Sequence, residues 1–250
     1  MKKTLLFSFL LVACLQGFSQ VSIKDSSINH FMVAPAASFQ LPGGDMKNRF
    51  GMNSAIGVGF FYKMKSQFAL GLDGSFMFGN QIRENNVLDA LKTDDGYIID
   101  ADGNIATVLI FERGFNLSLT AEYLVTWKKP NPNSGIFFRA GIGFLQHKIR
   151  YEHNNNAIPS LEEDYLKGYD RLTNGLLISE FIGYRYLSNK RLINFFAGVE
   201  FMQGFTANRR DYNYDLMGPD KSPRTDLLYG IRFGWILPIY KQAASEFYYR

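Results

Sequence analysis

The sequence predicts an all-β protein, an eight-stranded antiparallel up-and-down barrel that spans a membrane. Segments of about ten residues alternate large apolar side chains with small or polar ones, which is the pattern of a transmembrane β-strand. The connections between these segments are alternately short and long along the chain, as in membrane barrels. Aromatic residues make up 16% of the chain and glycine occurs 23 times, a composition typical of strands and turns.

The beginning of the chain predicts a Sec signal peptide. Met1 is followed by two lysines, residues 5–12 are apolar, and residues 17–20 are mostly small and polar. This apolar run is too short for a spanning helix, so residues 1–20 are excluded from the fold, with cleavage expected near Gln20. Alternatively, Leu11-Val12-Ala13-Cys14 is a lipobox and Cys14 an acylated N-terminus. Cys14 is the one cysteine, so no disulfide is expected in the barrel domain, residues 21–240.

Eight segments carry the strand pattern, near residues 31–39, 55–63, 68–78, 115–127, 136–144, 172–187, 193–205 and 227–239. In the second segment, Ile56, Val58 and Phe60 share one face, and Gly57 and Gly59 share the other. The small face lacks the bulk of a hydrophobic core. We therefore expect the apolar face to meet lipid and the small or polar face to line the lumen.

The lengths of the connections predict the topology. Residues 63–67, 128–134 and 188–191 are short connections, whereas residues 41–50, 80–112, 152–171 and 207–224 are longer. Short periplasmic turns and long extracellular loops are typical of outer-membrane barrels, and they put both termini in the periplasm. Within the longest loop we expect a short helix at residues 87–92 and a hairpin at 97–108 around Asp102-Gly103.

Aromatic residues near the strand ends predict two interfacial girdles. The expected members are Tyr62, Phe68, Trp127, Tyr186 and Tyr240 on the periplasmic side, and Phe78, Phe115, Phe144 and Phe205 outside. With this pattern, the chain resembles small outer-membrane barrels of the OmpA transmembrane-domain and PorT-like type over nearly all of its mature length. The resemblance implies an integral protein of the cell outer membrane, in contact with its lipid.

The last strand resembles the assembly signal that the barrel-insertion machinery reads. Arg232, Gly234, Leu237 and Ile239 supply its polar, glycine and apolar positions. The chain departs from the family pattern because residues 241–250 follow this strand. We expect these residues to be a periplasmic tail whose aromatic end is a protein contact or a second interfacial segment.

Charged residues of both signs occupy inward positions of the predicted strands. They are Asp73, Glu122, Arg139, Arg185, Glu200 and Arg232. An eight-stranded barrel is just wide enough for its side chains to fill, so we expect a paired network and not a diffusion pore, with a proton or ion pathway as the alternative. Glu180 falls on the lipid face by the same alternation, unless a bulge in its strand returns it to the lumen.

Two functions are compatible with these features. Polar loops rich in Tyr and Arg, such as residues 208–215, favour a structural or interaction protein that binds an envelope partner or an extracellular ligand. By analogy with PorT-like proteins, it would be an accessory of an envelope or secretion complex. No run of Lys or Arg indicates nucleic acid, and the scattered histidines and lone cysteine predict no metal site or cofactor.

The alternative is a barrel enzyme with a lipid-modifying or hydrolytic site at its rim. His147 and His153 follow the fifth strand, and Ser160, Glu162, Glu163 and Asp164 lie in the next loop. A histidine beside carboxylates is able to act as a base. The sequence has no Gly-x-Ser-x-Gly motif or other recognisable hydrolase signature, so we predict a protein that is not an enzyme.

Overall fold

The computed structural model describes residues 27–84, 86–126, 130–153, 157–189 and 193–240, and within them eight antiparallel strands close into a barrel. The barrel strands are β1 (His30–Gly44), β2 (Asn53–Lys63), β3 (Phe68–Gly79), β6 (Val108–Thr126), β7 (Gly135–His153), β8 (Thr173–Leu187), β9 (Asn194–Asn208), and β10 (Pro223–Trp235) continued by β11 (Leu237–Tyr240). The predicted fold class is confirmed. Cys14, Trp127, the predicted signal peptide and the predicted tail lie outside the described residues.

The strand pairing is regular around the whole barrel. Each strand pairs with its neighbour along the chain, and β10 and β11 close the ring against β1. A path of paired residues runs through Ala36, Gly57, Ser75, Asn116, Leu145, Gly175, Thr206 and Arg224. Ala36 itself pairs with Gly234, so the path returns displaced by 10 residues (234 − 224). A stagger of this kind tilts the strands by roughly 35–45° to the barrel axis.

The last strand is interrupted at Ile236, between β10 and β11, without a change of register. Ala36 pairs with Gly234 and Val33 with Leu237, so the two segments follow the same alignment on β1. Pro35 lies opposite the interruption, and proline has no N–H with which to continue the ladder. The Ile236 N–H still donates to the Asn194 carbonyl, at 2.9 Å. β10 and β11 therefore act as one strand.

Several boundaries differ from those that the sequence predicts. β6 begins at Val108 and β7 ends at His153, so this hairpin continues well beyond the expected strands near residues 115–127 and 136–144. In the β6 extension, residues 108–111 are all apolar and show no alternation, whereas residues 145–152 of β7 do alternate, with Leu145, Ile149 and Tyr151 inward. The expected hairpin forms, with β4 (Ile98–Ile99) paired to β5 (Ile105–Ala106). In place of the expected helix at 87–92, a 3₁₀ turn spans Asp89–Leu91.

The outside of the barrel is an apolar belt. We call the outward side chains of the barrel strands the outer belt; its half-exposed members include Phe31, Ile56, Phe60, Leu72, Leu119, Ile142, Val199 and Ile231. Aromatic pairs on this belt include Phe31 with Tyr62 near the short-turn strand ends and Phe115 with Phe144 well inside β6 and β7, with ring centroids 4.8 and 5.9 Å apart. Such a belt is typical of a transmembrane barrel.

None of the helices in the described part of the chain has the length and apolar character needed to cross a membrane.

Two apolar clusters fill the ends of the lumen. The long-loop end is the end at which β1 leads to β2 and β3 to β6; the short-turn end is the opposite one. Met32, Phe61, Leu124, Phe137, Phe181, Phe196 and Ile236 are among the buried side chains of one cluster, toward the short-turn end. Met46, Phe50, Met77, Leu145, Leu177 and Met202 belong to the other, toward the long-loop end. The charged inward residues lie between them.

Candidate functional site

The six predicted lumen charges all point inward and contact one another. We call Asp73, Glu122, Arg139, Arg185, Glu200 and Arg232 the lumen network; each is buried. Arg139 lies directly opposite Glu122 across the β6–β7 pair, and its Nη2 is 2.6 Å from Glu122 Oε1. Arg185 pairs with the other oxygen of the Glu122 carboxylate. A single carboxylate thereby joins guanidinium groups from two strands.

Asp73 links the network across the lumen. Arg232 donates from Nη1 and Nη2 to the two Asp73 carboxylate oxygens, at 2.8 and 2.9 Å. Arg139 Nη1 is 3.3 Å from Asp73 Oδ2, and Arg232 Nη1 is 3.6 Å from Glu200 Oε2. These contacts run from β3 through β7 to β10 and β9. Hydrogen bonds between charged groups are strong in a buried site that excludes water. They stabilise the barrel only if every charge keeps its partner.

Small inward residues make room for this network. A Cβ on Gly59 would lie 2.3 Å from the Phe61 ring, and one on Gly71 would lie 2.4 Å from it. Phe61 therefore occupies the space that two glycines leave, and the Arg139 guanidinium lies 4.3 Å from its ring centroid. The alternation of small and large inward residues thus positions the central cation of the network.

Almost no free space remains around the charges. A cavity of about 20 Å³ is bordered by Asp73, Arg139, Glu200 and Arg232. This is roughly the space that a single water needs. The lumen is therefore packed at the level of the network, and it is closed by apolar side chains on both sides.

A structured cap covers the lumen at the long-loop end. We define the cap as the described residues of the connections 45–52, 80–107, 157–172 and 209–222. Its buried apolar members are Met46, Phe50, Val87, Leu88, Ile98, Ile158, Leu161 and Tyr169. They pack on strand residues such as Ile149 and Leu177, so these loops share one hydrophobic core with the barrel.

Ion pairs connect the loops of the cap to one another. Arg49 in α1 (Met46–Arg49) lies 3.1 Å from Glu84, and Arg171 contacts both Glu84 and Asp215. Burial lowers the pKa of Arg49 from its ordinary value, against the attraction of Glu84. Arg210 donates to Asp170, and this hydrogen bond raises the pKa of the Arg210 guanidinium. Charges on all four connections hold the cap in one arrangement.

The structure does not bring the two candidate rim histidines together as one site. His147 is fully buried beneath the cap, and its Nε2 donates to Asp226 Oδ2 at 2.9 Å. The Thr206 hydroxyl donates to the same carboxylate. His153, at the end of β7, is partly exposed, and its Nε2 is 4.0 Å from Glu162. Asp164 pairs with Lys167, away from both histidines.

Glu180 lies on the outer belt, as simple alternation predicts. The β7–β8 and β8–β9 registers are continuous through Glu180, so no bulge returns it to the lumen. Its inward neighbours on β8 are Ser179 and Phe181, and Glu180 itself is exposed on the outside. The notion of a bulge is therefore wrong.

The residues of the predicted assembly signal divide between the two faces. Arg232 belongs to the lumen network, and Gly234 faces the Phe196 ring, which a Cβ would approach to 2.5 Å. Leu237 and Ile239 are half-exposed on the outer belt in β11.

The sequence reasoning did not single out several other polar lumen residues, of which Gln40 contacts the lumen network. Gln40 donates to Glu200 Oε1 at 2.7 Å, and Asn53 donates to Glu112 at 3.0 Å. Lys63 donates to Ser27 and Asn133 at the short-turn end. Lys63 has the same inward parity as Gly57 and Gly59, which was the available signal. Gln40 lies just beyond the predicted first strand, residues 31–39. The strand pattern therefore gave no signal that its side chain faces the lumen.

Within the described residues, no group of three or more His, Cys, Asp or Glu side chains is arranged to hold a metal ion.

The comparisons with known proteins concern the fold. No family model matches the sequence, and no curated protein matches it. The solved structure of Ail from Yersinia pestis, bound to the heparin analogue sucrose octasulfate, is similar over 84% of this chain and 99% of that chain, with 8% identity and a TM-score of 0.39. Neisserial surface protein A (NspA) is similar over 82% of this chain and 96% of that one, with 8% identity and a TM-score of 0.39.

A third similar structure is the N-terminal β-barrel domain of OprF from Pseudomonas aeruginosa. It covers 84% of this chain and 100% of that chain, with 12% identity and a TM-score of 0.37. The PorT-like part of the predicted resemblance is not tested by these comparisons.

Proposed function

We propose that the protein is an integral outer-membrane barrel without enzymatic activity, which acts through its surfaces as an accessory of an envelope or secretion complex. The long-loop end faces the cell exterior, and both ends of the chain lie in the periplasm. The apolar outer belt supports a location in lipid, and the alternation of short turns and long loops supports this orientation.

The observation that carries this proposal is the packed lumen. The lumen network joins β3, β6, β7, β8, β9 and β10 by ion pairs, and apolar clusters close it at both ends. A barrel filled in this way offers no route for solutes. The surfaces that remain for function are the cap, the outer belt and the short-turn end.

The cap presents a surface suited to a partner. Tyr165, Tyr212, Leu216 and Met217 are all exposed on it, and Met217 is 77% exposed. The rings of Tyr212 and Tyr214, in the same connection as Leu216 and Met217, have centroids 5.5 Å apart. Exposed aromatic residues and methionine on an ordered support are typical of interaction surfaces.

Purification from the native outer membrane in mild detergent tests the proposal. A tagged chain is expected to bring a partner protein of the envelope in a fixed ratio, identified by mass spectrometry. Recovery of the chain alone from cross-linked and untreated membranes would contradict the accessory role. Recovery from the soluble periplasm would contradict the membrane location.

A rim-sited lipid-modifying or hydrolytic enzyme is the second candidate, favoured by the contact between His147 and Asp226. The geometry supports it less well, because the Thr206 hydroxyl donates to the carboxylate and not to the imidazole. His147 is also sealed under the cap, away from lipid. His147→Gln and His153→Ala variants are expected to leave the lipid composition of the outer membrane unchanged. A changed composition in either variant would favour the enzyme.

A further inference from the structure

Glu180 places a carboxylate in the middle of the outer belt. It is the central residue of β8 (Thr173–Leu187), equally far from both strand ends. Its cross-strand neighbours are Ala140 on β7 and Phe201 on β9. Along its own strand, Ile178 and Ile182 are the nearest outward side chains. In a membrane, this carboxylate would lie near the middle of the hydrocarbon layer.

No described group of this chain compensates the charge. Within the described residues, Glu180 makes no hydrogen bond or ion pair, whereas every member of the lumen network is paired. An ionisable group at this depth is costly in lipid and is normally found facing a protein or a water-filled space. The exposed position of Glu180 therefore indicates a surface that another molecule covers.

The surface beside Glu180 is recessed, because its neighbours are small. Ala140 is its partner on β7, and Ala121 is the partner of Ala140 on β6. The two outward alanines in neighbouring strands form a depression between larger side chains such as Phe138 and Ile142. Small residues allow the backbone of a second membrane segment to approach closely, which strengthens packing and hydrogen bonds in lipid.

Charge complementarity identifies the kind of occupant. The other outward charges on the described barrel strands are Arg113, Lys148, Arg150 and Glu152, in the extended part of the β6–β7 hairpin. Lys148 is eight residues along β7 from Ala140, which is roughly 25 Å of strand. A second copy inserted in the same direction would therefore bring another Glu180 and the outward amide of Gln203, but no cation, near this depth. A cation at this depth has to come from a different protein.

We propose that the wall formed by Ala121, Ala140 and Glu180 is a lateral docking site for a transmembrane segment of another integral membrane protein. That segment presents a cationic side chain at mid-membrane depth. The inference rests on the proposed interaction role and names the surface through which a membrane-embedded partner is held.

Site-specific photo-crosslinking in the native outer membrane tests this site. A photoreactive amino acid at position 140 is compared with one at position 56, on the β2 wall of the outer belt. Position 140 is expected to give a discrete adduct with another integral membrane protein, and position 56 is not. The cross-linked peptide should come from a transmembrane segment that contains Lys, Arg or His.

Variants at Glu180 complete the test. Glu180→Leu is expected to reduce the adduct from position 140 at least tenfold, whereas Glu180→Gln, which keeps a hydrogen-bonding side chain, reduces it less. Ile182→Leu serves as the matched control and leaves the adduct unchanged. Monomer yield and heat-modified gel mobility of each variant confirm that the barrel has folded.

Four outcomes would overturn the inference. They are an adduct with a second copy of this chain, equal adducts from positions 140 and 56, adducts with lipid alone, and an adduct that Glu180→Leu leaves intact. If position 140 gives no protein adduct while a probe at Met217 on the cap does, the lateral site is wrong and the interaction role stands. If neither position gives one, both are wrong.

Discussion

Arg139 and Glu122 face each other directly across the β6–β7 pair, with Arg139 Nε 2.8 Å from Glu122 Oε1, and both side chains are buried in the lumen. Arg139 also reaches Asp73, and Arg185 takes the second oxygen of Glu122. The guanidinium of Arg139 is therefore shared by two carboxylates from different strands. It is the central cation of the lumen network.

Arg139→Ala is expected to destabilise the barrel. The change leaves two buried carboxylates short of a partner, and breaking a buried ion pair in this way costs about 3–5 kcal/mol. It also removes the packing of the guanidinium on Phe61. Urea unfolding of the refolded protein in phospholipid vesicles measures the loss in the free energy of unfolding.

Arg150→Ala is the matched control for this measurement. Arg150 is on the same strand, but its side chain is 55% exposed and pairs with Glu152 at 3.0 Å. An exposed pair is worth about 0–1 kcal/mol, so little change is expected. Equal effects of the two substitutions would show that the lumen network does not contribute the stability assigned to it.

Phe50→Ala is expected to loosen the cap. Phe50 is fully buried, and its ring stands perpendicular to His147 with centroids 5.5 Å apart. Loss of a buried phenylalanine costs about 3–5 kcal/mol where the site cannot collapse. Limited proteolysis of intact vesicles should show faster cleavage within residues 80–107. The Met52→Ala variant, changed at a half-exposed position, should be cleaved at the wild-type rate. An unchanged cleavage rate for Phe50→Ala would contradict the role of Phe50 in holding the cap in place.

Leu216→Ser combined with Met217→Ser is expected to weaken binding of a partner to the cap by tenfold or more. Both side chains are exposed, so their removal should change the free energy of unfolding by no more than about 0.5 kcal/mol. Quantitative mass spectrometry of the recovered partner measures the effect. Lys167→Ser, an exposed change beside α2 (Glu163–Leu166), is the control. Undiminished recovery with the double variant would place the contact elsewhere.

Glu180→Leu is expected to stabilise the isolated barrel in vesicles, because it removes a charge from the lipid face. The gain in the free energy of unfolding should be at most roughly 2 kcal/mol, since acidic residues cost less there than basic ones. Ile182→Leu should change it by less than about 0.5 kcal/mol. A loss of stability in Glu180→Leu would show that the carboxylate is satisfied within its own chain.

The sequence predicts the barrel well, because the inward and outward positions of each strand can be read from that strand alone. Each inward charge of the lumen network was found by counting in twos from an apolar neighbour, and continuous pairing registers preserve that parity around the ring. The same counting places Glu180 correctly on the outside.

The parts that sequence reasoning missed depend on contacts between distant residues. His147 and Asp226 are 79 positions apart, and their contact follows from how β7 and β10 face each other across the lumen. The cap forms because apolar residues in four connections pack together, although each loop by itself is mostly polar. The pattern of outward apolar residues in β7 ends at Phe144, because beyond it the apolar side chains Leu145, Ile149 and Tyr151 face inward.

The central claim is that the lumen network and its two apolar clusters close the barrel. Single-channel recording of the purified protein in planar lipid bilayers tests it most directly. The account predicts no stepwise conductance for the wild type at neutral pH. Reproducible, discrete conductance steps from the intact barrel, altered by Arg139→Ala, would contradict it and show that the lumen is a pathway for ions.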